Sequence, residues 1–321
     1  MATVFKNLLG SDVAQTRTLL HEAVPITGTI VFGTTYNDEN IKNYTHEMFQ
    51  SVYDYPVLSA SSNHIFDITY GYASSVGDSN NTQNQKKLNI YNQMAQVLVG
   101  YDINGNVRKF DQNGNHGEGD TMDECVFINY ARLLTKDEFR KGQYTLDLDG
   151  LSSGDLIQDS TAADSYKVNS PAGEYGLLYT ASAAAGDIVG HIYYQAGIVV
   201  LTSSVFVDNI GTLFETQGIQ DTCDKVREDW VDNDFQNTTE LNSTIYFCRI
   251  NPNEFNYSSN PTYVNNSKIR VKQVSTDAPV SYITTVGLYS ADNELVAVAK
   301  LSEPIKKTDS NALTLRVRLD Y

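Results

Sequence analysis

Cysteine is nearly missing from this sequence, and the three present, Cys125, Cys223 and Cys248, stand far apart. No pair has the spacing of a zinc knuckle or a redox motif, and an odd, scattered set builds no disulfide framework. Basic residues are scarce too: 23 Lys and Arg face 39 Asp and Glu, a formal net charge of −16. Such a surface repels a phosphate backbone unless a basic patch is segregated. The basic clusters are only pairs such as Lys86-Lys87 and Lys306-Lys307, so no nucleic-acid partner is expected. The five histidines (His21, His46, His64, His116, His191) include no pair at metal-ligand spacing. No basic segment followed by an apolar run opens the chain, so no signal peptide is read and synthesis in the cytoplasm is expected. The most apolar stretch, residues 188–207, is broken by His191, Gln195, Gly197 and Thr202-Ser203-Ser204. It is rich in Val, Ile and Tyr and reads as two strands, with no membrane partner. The six N-x-Ser/Thr sequons, at Asn43, Asn80, Asn237, Asn242, Asn256 and Asn265, are then incidental to an Asn-rich chain.

What is present suffices for a large core. Hydrophobic residues make up 41% of 321 positions, and 21 Tyr and 12 Phe stand against a single Trp. Tyrosine combines buried area with a polar tip, which suits strands and protein–protein contacts. Spacing predicts a first helix over residues 12–23, capped by Ser11 and ended by Pro25, then a strand over 26–32. Residues 34–81 are dense in Tyr, Asn, Ser and Asp and are expected as long packed loops, ordered by partners, with short apolar pieces at 48–52 and 65–72. The clearest helix covers 82–99, with Leu88, Tyr91, Met94, Ala95 and Leu98 on one face and Gly100 as its stop. A hairpin around Asn104-Gly105, a buried strand over 125–134, a short helix from Thr135 to Gly142 and a strand through Tyr144, Leu146 and Leu148 follow.

Residues 152–173 form a polar interruption, and the expected division is 1–150 against 151–321. Beyond it, strands are expected at 175–180, 188–194, 198–201, 243–250 and 269–274, with one helix over 207–227. The C-terminal part is the most regular: strands 283–289 and 295–301 around a turn at 290–293, then Leu313, Leu315, Val317 and Leu319 alternating with polar residues. The fold class expected is β-rich α+β: a C-terminal antiparallel sheet or sandwich, with an N-terminal part of helices and long packed loops.

The search for chemistry returns nothing positive. Asp102-x-Asn104-x-Asn106 begins like a calcium loop but has Val107 and Asn113 where an EF-hand needs Gly and Glu. Asp111-x-Asn113-x-Asn115 has His116 at its sixth position and fails likewise, so both read as turns. Ser61, His64 and Asp67 lie close in sequence, whereas triads assemble from separate segments, and no G-x-S-x-G elbow surrounds the serine. His116 beside Glu118, Asp120 and Asp123 could hold a divalent ion, although clustered acids near glycine are usually a solvated loop. His191 reads as a hydrogen-bonded strand histidine. Residues 114–119 are glycine-rich but lack the Lys-Ser/Thr of a phosphate loop. No catalytic, cofactor-binding or metal residue is assigned, no cofactor is expected, and the chain is not expected to be an enzyme.

The segment Ile283-Thr284-Thr285-Val286-Gly287-Leu288-Tyr289, with Leu295-Val296-Ala297-Val298-Ala299-Lys300-Leu301 and Pro304 after the turn, resembles a hairpin that recurs in tailed-phage virion proteins. The block from Gly190 to Thr202 is similar to a strand pair in such proteins. The resemblance to structural proteins of contractile-tailed bacteriophages covers about the last forty residues and the strand block. It implies a virion component, at the baseplate or fibre-attachment region of the tail, that binds other tail proteins and copies of itself. In tail fibres the hairpin precedes a shaft; here it lies at the end, which points to an adaptor, baseplate or neck component. A neck or capsid-associated protein, a receptor- or glycan-binding module and a cell-wall hydrolase are the alternatives.

Overall fold

The central strands are near-continuous buried runs, and the outer ones alternate covered and open side chains. The computed structural model of the chain is β-rich, with a large antiparallel sheet. The structure describes residues 5–26, 38–74, 82–116, 119–149, 156–159, 166–180, 187–206, 217–258, 264–265, 268–269, 274, 276 and 278–321. Packing divides the chain into unit 1, Met1–Thr18 with Leu241–Tyr321, and unit 2, Leu19–Glu240. The division expected near residue 150 falls inside unit 2.

Unit 2 holds β2 (Ile41–Asn43), β3 (Gln50–Tyr53), β4 (His64–Tyr72), β5 (Phe110–Asp111), β6 (Thr121–Met122) and β7 (Glu124–Tyr130). It continues with β8 (Glu138–Leu148), β9 (Ile157–Gln158), β10 (Tyr175–Thr180), β11 (Ile188–Tyr193) and β12 (Ile198–Thr202). Its helices are α1 (Thr82–Leu98), α2 (Arg132–Thr135) and α3 (Ile219–Glu228). Two long strands, β1 (Val13–Ile26) and β13 (Trp230–Ile250), each begin in one unit and end in the other. In unit 2 the strands run in the order β13–β8–β9–β10–β11–β12–β7–β4–β3–β2, with β1 on the free side of β13.

The register of this sheet sorts side chains onto two faces. Phe66, Ile68 and Tyr70 of β4 stand opposite Tyr130, Ile128 and Val126 of β7, and Thr69 and Gly71 opposite Phe127 and Cys125. On the first face Tyr130 meets Phe139 at 5.3 Å, Phe235 at 5.3 Å and Tyr144 at 6.1 Å, and Phe66 stacks on Trp230 at 4.9 Å. Strands β7 and β4 thus touch β8 and β13, which lie five or more places away in the order. The sheet of unit 2 curls so that its arms close over an aromatic core, each ring pair adding about 0.5–1.5 kcal/mol beyond area burial. Within that core the Tyr130 hydroxyl bonds Tyr144 at 2.8 Å and donates to Asn233 Oδ1 at 2.9 Å, and Asn233 donates to the Thr145 carbonyl at 2.7 Å. A closed polar network of this kind costs no unmet hydrogen bond.

The second face carries α1. Its buried side chains, Lys87, Ile90, Tyr91, Ala95 and Leu98, follow helical spacing. Gly71 lets the helix approach: a Cβ there would lie 2.7 Å from the Lys87 carbonyl oxygen and the Tyr91 nitrogen. Gly100 ends the helix run at φ +89°, the left-handed region a side chain disfavours.

Unit 1 holds the first part of β1 and the C-terminal half of β13 with β14 (Val264–Asn265), β15 (Lys268–Ile269), β16 (Val280–Tyr289), β17 (Leu295–Thr308) and β18 (Leu313–Asp320). Ser243 pairs with Asp320 and Ile250 with Leu313, so β18 runs antiparallel along that half of β13. Strands β16 and β17 form a separate two-stranded sheet.

Several expectations are borne out: the helix over 82–99, the strand through Tyr144, Leu146 and Leu148, those at 175–180, 188–194 and 198–201, and the C-terminal hairpin with its closing strand. Others are corrected. Residues 13–23 of the expected helix 12–23 are strand, because backbone pairing beside β13 overrides a loose helical pattern, and Pro25 is tolerated in an edge strand. The expected loops of 34–81 contain β2, β3 and β4, the last of them buried along most of its length. The hairpin at Asn104-Gly105 is reduced to one bridge, Tyr101 to Val107. The short helix comes earlier, at Arg132–Thr135, and Lys136 at φ +55° stops it, so that Glu138–Gly142 begin β8 instead. In the expected helix 207–227, residues 207–216 lie outside the described residues, as do 27–32 of the strand expected at 26–32; Ile219–Glu228 is helical. Of the strand expected at 269–274, Ile269 is paired and 270–273 lie outside the described residues.

Candidate functional site

Most of the candidates read from the sequence are bound into the scaffold. His64 Nε2 lies 2.8 Å from Asp67 Oδ1, but Ser61 sits in a loop with its N–H donating to Ser59 Oγ at 3.3 Å. The serine that reaches Asp67 is Ser51, which donates to Oδ1 at 2.5 Å. Both partners thus end on the carboxylate, with no imidazole placed to take the serine proton, so this is no nucleophile–base relay. Asp102 Oδ1 accepts the N–H groups of Asn104 and Asn106, both at 2.8 Å. These bonds, led by that from Asn106, hold the carboxyl below its usual range, as in an Asx turn.

The acids near His116 are dispersed. Asp120 accepts from Asn113 Nδ2 at 3.1 Å, Asp123 pairs with Lys109 at 2.9 Å, and Asp111 accepts the Asn115 N–H at 3.1 Å. His116 Nε2 bonds the Asn169 carbonyl at 3.3 Å, and Glu118 lies outside the described residues. Among the described residues no group of three His, Cys, Asp or Glu could hold a metal ion.

His191 is a buried peg of the second face. Its Nε2 meets the Gln112 carbonyl at 3.3 Å and its Nδ1 the Tyr193 hydroxyl at 3.5 Å, beside the Tyr175 ring at 5.2 Å. Burial pushes its pKa down to about 4, so the ring is neutral at pH 7. Tyr175 anchors the same loop through Asn169 and Gly114, its hydroxyl pushed up to about 12 by burial. Burial likewise raises the thiols of Cys125 and Cys223, which suits inert core residues. Sequence reasoning missed the buried Arg227, whose guanidinium bonds Gln50 Oε1 at 3.0 Å and pairs with Asp224, pinning α3 to β3. An arginine three residues after an aspartate on a helix signals only a surface pair.

What remains available is surface. The apolar core runs from Ile26 to Phe235 and draws on unit 2 alone. In unit 1, Val317 is the one apolar side chain that is buried among the described residues. Unit 1 is instead tied by polar contacts. Lys307 is fully buried and donates to the carbonyls of Pro252 and Thr308 and to Asn256 Oδ1, at 2.6–2.9 Å. Arg249 pairs with Asp12 at 2.7 Å.

The β16–β17 hairpin shows the imbalance best. One face holds Val286, Leu288, Ala297, Ala299 and Leu301, all partly covered. The other is open, with Tyr282, Tyr289, Leu295 and Val298 each 47–53% exposed. The Tyr289 ring lies over Gly287 and against Leu295, with Phe5 edge-on at 4.8 Å.

Among the described residues no helix is long and apolar enough to cross a membrane. No protein-family model, no curated protein and no solved structure matches this chain in the comparisons made with each.

Proposed function

We propose that this protein is an architectural subunit of a bacteriophage tail that joins neighbouring subunits at the baseplate or fibre-attachment region. The observation that carries the reading is the contrast between the units: unit 2 owns the core, while among the described residues unit 1 presents strands with one buried apolar side chain. Fixing backbone costs about 1–2 kcal/mol per residue, and burial of apolar surface is the main term that offsets it. A unit that keeps its apolar side chains open gains that burial from neighbours. In this reading the fold is α+β, with the C-terminal antiparallel strands as its assembly part. The chain works without catalytic residues or cofactor, its partners are other tail proteins and copies of itself, and it resides in the virion. The phage-tail assignment draws on the likeness of the hairpin and of the Gly190–Thr202 block.

Immunogold labelling of virions from the phage that encodes the protein tests this reading. Label at the distal end of the tail supports it. Label at the head–tail junction moves the protein to the neck, and virions that carry none of it overturn the reading.

A further inference from the structure

Charge is divided very unevenly between the units. Unit 1 carries 11 Lys and Arg against 8 Asp and Glu, and unit 2 carries 12 against 31, giving +3 and −19 within a total of −16. The open face of the β16–β17 hairpin has the same sign as its unit. Lys300 stands opposite Thr285 and Lys306 opposite Tyr282, on the face of Tyr289, Leu295 and Val298, and the exposed Glu303 falls between them in the unpaired stretch 301–304.

Unit 2 answers with concentrated negative charge on its sheet. Asp147 of β8 stands directly opposite Asp232 of β13, and Asp234 follows two residues on, on the side away from the aromatic core. Like charges directly opposite one another on a sheet destabilise it. The strain shows in the carboxyls: partial burial and the neighbouring aspartates raise the pKa of Asp147 and of Asp234.

We propose that the open face of the β16–β17 hairpin docks on the acidic surface of unit 2 in a second copy of this chain. The proposal rests on the architectural reading above and names its partner. Apolar side chains supply the buried contact, and Lys300 and Lys306 meet the aspartates that their own sheet leaves uncompensated. The two surfaces differ, so the contact is heterologous. Each docked copy still offers a free hairpin and a free acidic surface, and the association propagates head to tail into a ring or a filament.

Sedimentation of the full-length protein over a concentration series tests it, at about 50 and about 500 mM salt, between which the Debye length shrinks about threefold. At low salt we expect a concentration-dependent ladder of oligomers, with the association constant falling about tenfold or more at high salt. Lys300→Glu/Lys306→Glu, which spoils only the hairpin, is expected to stay monomeric. Asp147→Asn/Asp232→Asn/Asp234→Asn, which spoils only the acidic surface, is expected to do the same. An equimolar mixture of the two retains one good surface of each kind and stops at a one-to-one dimer. Circular dichroism melts establish that each variant is folded, and the salt dependence of the unaltered chain decides the matter without them. A chain monomeric at every concentration in low salt overturns the proposal, as do oligomers indifferent to salt and to lysine reversal, or a mixture that stays monomeric. If the monomer is nevertheless found in tails by immunogold labelling, the architectural reading stands and the hairpin faces a different protein.

Discussion

His191 shows how a single side chain can tie stability to pH. Its imidazole is buried among Gln112, Tyr175 and Tyr193, with a pKa near 4, whereas an unfolded histidine titrates near 6.5. Between those values the unfolded chain binds the extra proton, so stability is full above about pH 6.5 and is lost as pH falls toward 4, by about 3 kcal/mol at most. Melts across this range are expected to show the loss, and His191→Gln to flatten the slope while lowering stability at pH 7. Gly71 is a steric counterpart. Its missing Cβ is where the backbone of α1 lies, so Gly71→Ala must push the helix off β4 at a cost of about 1–3 kcal/mol. Urea denaturation measures the loss directly, and an unchanged midpoint would mean that the helix has room to move.

At the scale of elements, β8 and β13 carry a defect that the fold does not need. Asp147 facing Asp232 costs stability, so Asp232→Asn is expected to raise it by about 0.2–1 kcal/mol, read by chemical denaturation. Retention of a destabilising pair is understandable where a neighbour's lysines cover it. The elements legible in the sequence were those whose period is set by one covered face, such as α1 with the buried Tyr91, Ala95 and Leu98, or β18 with its alternating, partly covered leucines. Strand β1 was not legible: Leu19 and Leu20 are both exposed, so no buried face marks its period, and its pairing beside β13 is non-local. The first half of β13 escaped notice because Asp232, Asn233 and Asp234 disguise a strand as a loop. The candidate surface was half legible, in that the hairpin could be read from its alternation. Which of its faces stays open depends on contacts that sequence spacing does not encode.

For the molecule as a whole, the placement of the core separates the stabilities of the units. Hydrogen exchange in the free protein is expected to show low protection in β16–β18 and high protection in β4, β7 and β12, whose side chains are mostly buried. Limited proteolysis is expected to cut residues 241–321 first and to leave a resistant product close to Leu19–Glu240. Equal protection in both units would mean that unit 1 is already complete on its own. Unit 1 also takes its residues from both ends of the sequence, Met1–Thr18 and Leu241–Tyr321, around the uninterrupted unit 2. Translation therefore delivers all of unit 2 before Leu241–Tyr321, the larger part of unit 1, exists. The core can form on the nascent chain while the hairpin is still unsynthesised, and chains cut short by a stalled ribosome lack the hairpin altogether. On the proposed docking, the order of synthesis acts as a timer that withholds association until a folded body is there to be joined.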